Sequence, residues 1–436
     1  MKSAAFFTVA ILCLATFAQA DWPRLRGPQG DGIAEGKAPL TWNAKENIRW
    51  QAALPGPGSS SPIVVGERVF VTCWSGYADG SNGPLENLKR HLVCLNKADG
   101  KIIWDKAVPA VMPEDQAGGM LMEHGYASST PVSDGESVFV FFGKTGALAF
   151  DLEGRQLWQV PLGTRSNPKG WGSAASPILH KDTVIVTAYD EGVAMVALDK
   201  ATGKEVWRAP ADGLNTVFTT PLVAGGDLLL PVQGELWGLN PDTGKLRWYS
   251  SYSMGGNVSP AVSAGGGVVY VTGGYPTQGT AAIKPGGKGD ITKTASLWNI
   301  NSASYIPSPI LYQGHLYVIN DAGFAMCIDA RTGEEVYRER VMESGGGGQG
   351  RGPGGPGGGG RRGGGKPFYA SPVLVDGKLY CPSRKNGTFV IAAKPKYELL
   401  AKNVIEGDDT QVNASPAVDG GKLYLRSDKA LYCIGE

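Results

Sequence analysis

An all-β fold, an eight-bladed β-propeller of four-stranded antiparallel blades, is what this sequence predicts. Three observations carry that expectation: a recurring glycine-to-aromatic unit, a Pro marker that recurs eight times, and complementary fragments at the two ends of the chain. The unit reads N-K-A-D-Gly100-K-I-I-Trp104, D-L-E-Gly154-R-Q-L-Trp158, D-K-A-T-Gly203-K-E-V-Trp207, N-P-D-T-Gly244-K-L-R-Trp248 and D-A-R-T-Gly333-E-E-V-Tyr337. Its glycines lie 54, 49, 41 and 89 residues apart, and the last gap is about two units, so a degenerate copy is expected between Gly244 and Gly333. A period in the forties with strand-like content is that of a propeller blade.

The chain opens with Lys2, an apolar run from Ala4 to Phe17 and Ala18-Gln-Ala20, which reads as a signal peptide over residues 1–20. Residues 21–46 form a lead-in. Asn47-Ile-Arg-Trp50-Gln-Ala-Ala-Leu54 then looks like an outer strand that has lost its blade. The last blade lacks such a strand after Ala430–Ile434, so the N-terminal strand is expected to complete it and close the ring over residues 47–436.

Within each blade the first strand is marked by a small residue followed by Pro, at Pro62, Pro131, Pro177, Pro221, Pro260, Pro309, Pro372 and Pro416. Pro is tolerated at a strand's first position, where its missing N–H breaks no ladder bond. The third-to-fourth turn carries Asn or Asp three or four residues before Gly, which suits a tight turn with a left-handed glycine. The aromatic that follows lies on the outer strand, where it covers the gap to the next blade. Three segments interrupt the pattern: Trp74–Arg90 and Gly273–Ala295, read as second-to-third loops, and Gly345–Gly365, a blade-to-blade connection with 15 glycines in 21 residues. The last is expected to be disordered, with its arginines solvated. All three insertions would decorate one face of the ring.

Removal of Lys2 with the leader takes the formal charge from +1 to zero, which argues against a nucleic-acid surface. No segment beyond the leader is apolar and long enough to cross a bilayer. Cys73, Cys94, Cys327, Cys381 and Cys433 remain, an odd number on inner strands. They are expected as buried thiols, with a Cys73–Cys94 pairing as the alternative. There is no G-x-S-x-G, H-E-x-x-H or C-x-x-C, and the four histidines are scattered, so no catalytic or metal residues are assigned.

The segments before the Pro markers enter the inner strands at the rim of the central channel. They supply His124, Tyr126, Trp171, Asn215, Asn257, Tyr305, Tyr369 and Asn413 as candidate ligand-binding residues. Aromatic faces mixed with amides suit a flat polar ligand, a peptide or a sugar.

The form A-L-D-x-x-T-G-x-x-x-W, here Ala197 to Trp207, resembles the pyrroloquinoline quinone (PQQ)-like propeller repeat. The lead-in from Asp21 to Gly32 and the stretch His124–Pro131 are similar to exported PQQ-like repeat proteins of planctomycete type. The resemblance implies a propeller in the periplasm or outside the cell. It also implies two functional branches. One is similar to the propeller lipoprotein of the outer-membrane β-barrel assembly machinery, which binds partner proteins and carries no cofactor. The other is the quinoprotein alcohol dehydrogenases, which hold PQQ and calcium and carry a vicinal cysteine pair, and no two cysteines are adjacent here. The expectation is therefore a monomeric, exported, non-catalytic scaffold that binds an envelope protein or polymer. A PQQ-dependent dehydrogenase of alcohols or polymers is the alternative, and a carbohydrate-binding propeller a weaker one.

Overall fold

The glycine-to-aromatic unit folds as its chemistry dictates. A computed structural model of the chain describes residues 22–210, 217–341 and 366–436. The expected leader, Asn215 and the Gly345–Gly365 tract lie outside the described residues. Eight antiparallel sheets follow one another. Blade one comprises Ile63–Val65, Arg68–Ser75, Lys89–Asn96 and Ile102–Pro109, and blade seven Val373–Val375, Lys378–Pro382, Thr388–Ala392 and Leu399–Asn403. The ring closes as expected. Ile48–Ala53 pairs antiparallel with Ala430–Ile434, so the N-terminal strand is the outer strand of blade eight.

The aromatics join the blades by one repeated contact. Indole Nε1 of Trp50, Trp104, Trp158, Trp207 and Trp298 donates to a turn carbonyl of the following blade, at Lys97, Leu152, Lys200, Pro241 and Ala330, over 2.9–3.1 Å. The ring face lies against that turn's glycine. A Cβ on Gly203, for example, would sit 2.9 Å from Trp158 Cδ2, and its φ of +71° is left-handed. The glycine is needed twice over, for the turn and for the neighbour's indole.

The degenerate copy is blade five, whose outer aromatic is Trp298. Here the sequence reading of Gly273–Ala295 as a second-to-third loop is corrected. Gly279–Ile283 is a fully buried third strand, so the second-to-third loop is only residues 274–278. The longer insertion, residues 284–295, joins the third and fourth strands and therefore lies on the opposite face. Small residues in Gly279–Ile283 gave it no strand-like pattern, yet Thr280 and three apolar neighbours pack between two blades. Trp248 of blade four consequently has no glycine turn to rest on. It is buried beneath the insertion, where Gly289–Asp290 pairs in parallel with its own strand and Asp227 Oδ2 accepts its indole N–H at 2.7 Å.

A hydroxyl girdle encircles the channel. The backbone N–H of Ser61 donates to Thr130 Oγ1, Thr130 to Ser176 Oγ, and Ser176 to Thr220 Oγ1; Ala261 donates to Ser308 Oγ, Ser308 to Ser371 Oγ, and Ser371 to Ser415 Oγ. All six bonds measure 2.9 Å. At the seam between blades eight and one, the fully buried Arg426 takes over, donating to Ser60 O and Oγ at 3.1 and 2.6 Å.

The lead-in is part of the core. Trp22 pairs with Val64 of blade one, the Ser133 N–H of blade two donates to Pro23 O, and Ile33–Ala34 adds in parallel to Val373–Val375 of blade seven. Arg26, buried, donates to Pro309 O at 2.6 Å and to Gly30 O at 3.1 Å. Residues 22–34 thus touch inner strands around the ring and plug the axial channel at its glycine-turn end. All five described cysteines are free and buried. Burial pushes the thiols of Cys73 and Cys433 up to about 11 and that of Cys94 to about 12.

Candidate functional site

Above the plug, the channel becomes a blind well of about 180 Å³. Leu25 of the lead-in lines its depth, the girdle hydroxyls its wall, and the segments before the Pro markers its mouth. The wall hydroxyls are largely engaged with neighbouring blades, so its free chemistry is mostly apolar: Met120, Phe218, Ile306 and the rim aromatics.

Five of the expected rim residues line this well: His124, Trp171, Tyr305, Tyr369 and Asn413. Asn257 stands behind them, 1 % exposed, and links its neighbours. Its Oδ1 accepts from Lys169 Nζ at 3.0 Å, and its Nδ2 approaches Tyr305 Oη at 3.4 Å. Tyr126 does not reach the mouth. Its hydroxyl donates to Asp115 O at 2.7 Å and its ring packs on Trp74 and Tyr77, in a small apolar cluster built by the blade-one insertion and residues 110–127. That cluster was not legible in the sequence, because it forms between two loops.

A wreath of contacts holds the mouth. His124 Nε2 lies 2.9 Å from Trp171 O and its Nδ1 meets Ser128 Oγ. Burial holds the imidazole below the usual histidine range. Asn413 Nδ2 donates to Glu123 O at 3.0 Å, while Arg384 donates to Asn413 Oδ1 at 2.9 Å and pairs with Glu123 at 2.8 Å. Three cations each lie over a rim ring: Lys169 at 4.6 Å from the Trp171 centroid, Lys366 at 4.2 Å from Tyr305, and Arg384 at 4.1 Å from Tyr369. Sequence reasoning missed all three. Lys169 stands two residues before Trp171, but neither Lys366 nor Arg384 adjoins its partner ring closely enough to signal it.

Between blades one, two and three lies a second, smaller polar pocket. Arg90 pairs with Glu114 at 2.6 Å, Lys144 with Asp115 at 3.0 Å, and Asn167 donates to Asp190 at 2.8 Å. Glu191 accepts from Ser173, and its Oε2 has no partner among the described residues. Burial raises Glu191 to about 7 and Asp190 to about 6. Blade one also carries a Ser75–His91–Asp105 row, with Ser75 Oγ 2.7 Å from His91 Nε2 and His91 Nδ1 2.9 Å from Asp105. The row ties three strands of blade one together, and the N–H of Gly76, next to Ser75, is engaged by Asp79 at 2.8 Å.

The mouth fits a quinone with calcium poorly. Among the described residues no three His, Cys, Asp or Glu side chains gather as metal ligands, and the well's carboxylate, Glu123, is already paired with Arg384.

Residues 89–339 match the family described as outer membrane protein assembly factor BamB. The BamB of Alkalilimnicola ehrlichii is 31 % identical over 191 residues, 43 % of this chain and 42 % of that protein. Tetrathionate hydrolase of Acidithiobacillus ferrooxidans is 21 % identical over 377 residues, 78 % of this chain and 65 % of that one. The chain therefore spans less than two thirds of the length of these relatives. Among solved structures, BamB from Moraxella catarrhalis superposes with a TM-score of 0.60 at 12 % identity, over 88 % of this chain and 98 % of that one. A europium-containing methanol dehydrogenase gives 0.59 at 12 % identity, over 93 % and 89 %. At such identity the two share the fold alone. No helix among the described residues is long and apolar enough to cross a membrane.

Proposed function

Because the chain belongs to the outer membrane protein assembly factor BamB family, we propose that it is an exported, non-catalytic scaffold that holds a segment of an envelope protein at the mouth of its axial well. One observation carries this reading: a preorganised aromatic mouth stands over a well that is blind at its far end. Such a shape suits capture of a side chain and the chain bearing it. The polar groups of the mouth favour a peptide over a sugar. Asn257, Asn413 and His124 are engaged with protein partners, which leaves few donors for sugar hydroxyls. The six candidate residues His124, Trp171, Asn257, Tyr305, Tyr369 and Asn413 are proposed as the contact set or its direct support.

The test is capture from an envelope extract by immobilised protein. The native chain is expected to retain a partner that Trp171→Ala combined with Tyr369→Ala releases, since rim aromatics carry much of the energy of such contacts. Survival of binding in that variant overturns the assignment of the mouth. Incubation with PQQ and calcium is expected to leave no quinone absorbance after gel filtration. A stoichiometric bound quinone would restore the dehydrogenase reading.

A further inference from the structure

The three cations at the mouth are not spread evenly. Lys169 precedes blade three, whereas Lys366 precedes blade seven and Arg384 lies in blade seven's second-to-third loop. Their charged heads lie where their contacts put them: Lys169 Nζ reaches Asn257 Oδ1, and Lys366 Nζ lies over Tyr305, whose hydroxyl is 3.4 Å from Asn257 Nδ2, while Arg384 reaches Glu123 and Asn413. Each cation is held over an aromatic face, which fixes its position without neutralising it. Lys366 pairs with Asp321 at 2.7 Å and Arg384 with Glu123 at 2.8 Å. Lys169 has no carboxylate partner among the described residues; its ammonium rests on Trp171 and Asn257 Oδ1. The mouth therefore holds three cations against two carboxylates, above an apolar well.

Building on the scaffold reading, we propose that this site selects acidic peptide segments in which carboxylates flank an apolar residue. The apolar side chain enters the well towards Leu25. One carboxylate meets Lys169 and Lys366 beside Tyr305, and a second meets Arg384; Lys366 is shared with Asp321 and Arg384 with Glu123. The apolar residue supplies burial and the carboxylates supply register and selectivity. An uncharged sugar would leave the cations unused, and a basic segment would be repelled.

The experiment is selection of a random dodecapeptide library on the immobilised native chain. A synthetic copy of an enriched peptide is then titrated by fluorescence anisotropy. Enriched peptides are expected to carry Asp or Glu on both sides of a Leu, Ile, Met or Phe. Changing those acids to Asn or Gln weakens binding by roughly ten-fold, the equivalent of about 1.4 kcal/mol. Lys169→Gln and Lys366→Gln each weaken the acidic peptide by about three-fold or more, leave the neutralised peptide unaffected, and flatten the salt dependence. Enrichment of neutral or basic peptides overturns the proposal, as does an empty selection or a neutralised peptide that binds within about two-fold. Displacement of the bound acidic peptide by polygalacturonate or PQQ at concentrations well below those at which the unlabelled peptide competes also overturns it, in favour of a polymer or quinone site. The two readings fail separately. An envelope partner retained equally by the native chain and by both lysine variants removes the carboxylate inference and leaves the scaffold. Peptide selection without any envelope partner removes the scaffold and leaves an acidic-peptide site.

Discussion

Gly203 and Gly225 have the same left-handed backbone, φ +71° and +60°, but different surroundings. A Cβ on Gly225 meets nothing within 4 Å, whereas on Gly203 it meets the Trp158 ring at 2.9 Å. Gly225→Ala is thus expected to cost about 1–2 kcal/mol of backbone strain alone. Gly203→Ala should add an overpacking cost of about 1–3 kcal/mol, because the indole cannot retreat without losing its bond to Lys200 O. Urea unfolding of both variants measures the difference, and equal losses would show that the glycine serves only the turn. Glu191 is a second residue whose environment sets a measurable quantity. Burial lifts its folded carboxyl from 4.5 to about 7, so the folded state favours the protonated form. That stabilisation is complete below about pH 4.5 and is lost as pH rises through about 7. Glu191→Gln is uncharged throughout, so it should gain on the native chain between about pH 5 and pH 8, by at most about 3 kcal/mol. Melting temperatures across that range check the sign. Gly203 was legible in the sequence because spacing repeats its turn. Glu191 was not, because its neighbours come from separate segments, Ser173 from the connection entering blade three and Arg90 from blade one.

The N-terminal strand behaves as an element with two parts. Ile48–Ala53 supplies the outer strand of blade eight, while residues 22–34 plug the channel. Deleting residues 22–34 is expected to open the well's floor and lower the melting temperature while leaving a closed, monodisperse ring. Deleting residues 22–54 should instead leave Ala430–Ile434 as an unpaired edge, giving a broad transition and association on gel filtration. A sharp melt and a single monomer peak from the longer deletion would show that closure is not provided by this strand. The closing strand was readable because Trp50 and its neighbours copy the repeat. The plug was not, since Trp22–Ala34 carries no repeat and its partners, such as Val64 and Leu374, are scattered along the chain. The blade-five insertion misled for a related reason. Gly279–Ile283 pairs like any inner strand, but its glycine and alanines look like loop until neighbouring blades cover them.

For the whole molecule, blade number, closure and the location of a mouth followed from the sequence, because each depends on a marker repeated eight times or on matching ends. The same marker held more than was read from it. The small residue before every Pro is Ser or Thr, and six of those eight hydroxyls form the girdle that makes the channel wall apolar in effect. The cationic character of the mouth depends on Lys366 and Arg384 meeting rings on other segments, which only the closed ring brings about. Closure also has a consequence for how the protein is made. Ile48 pairs with Ile434, and Ile33 with Leu374, so these early strands wait for partners far along the chain. Such long-range pairing is slow to form. A chain cut short during synthesis or export has every early blade but no seam. It keeps an exposed strand edge and an open channel, two marks by which a protease or chaperone can tell an unfinished ring from a finished one.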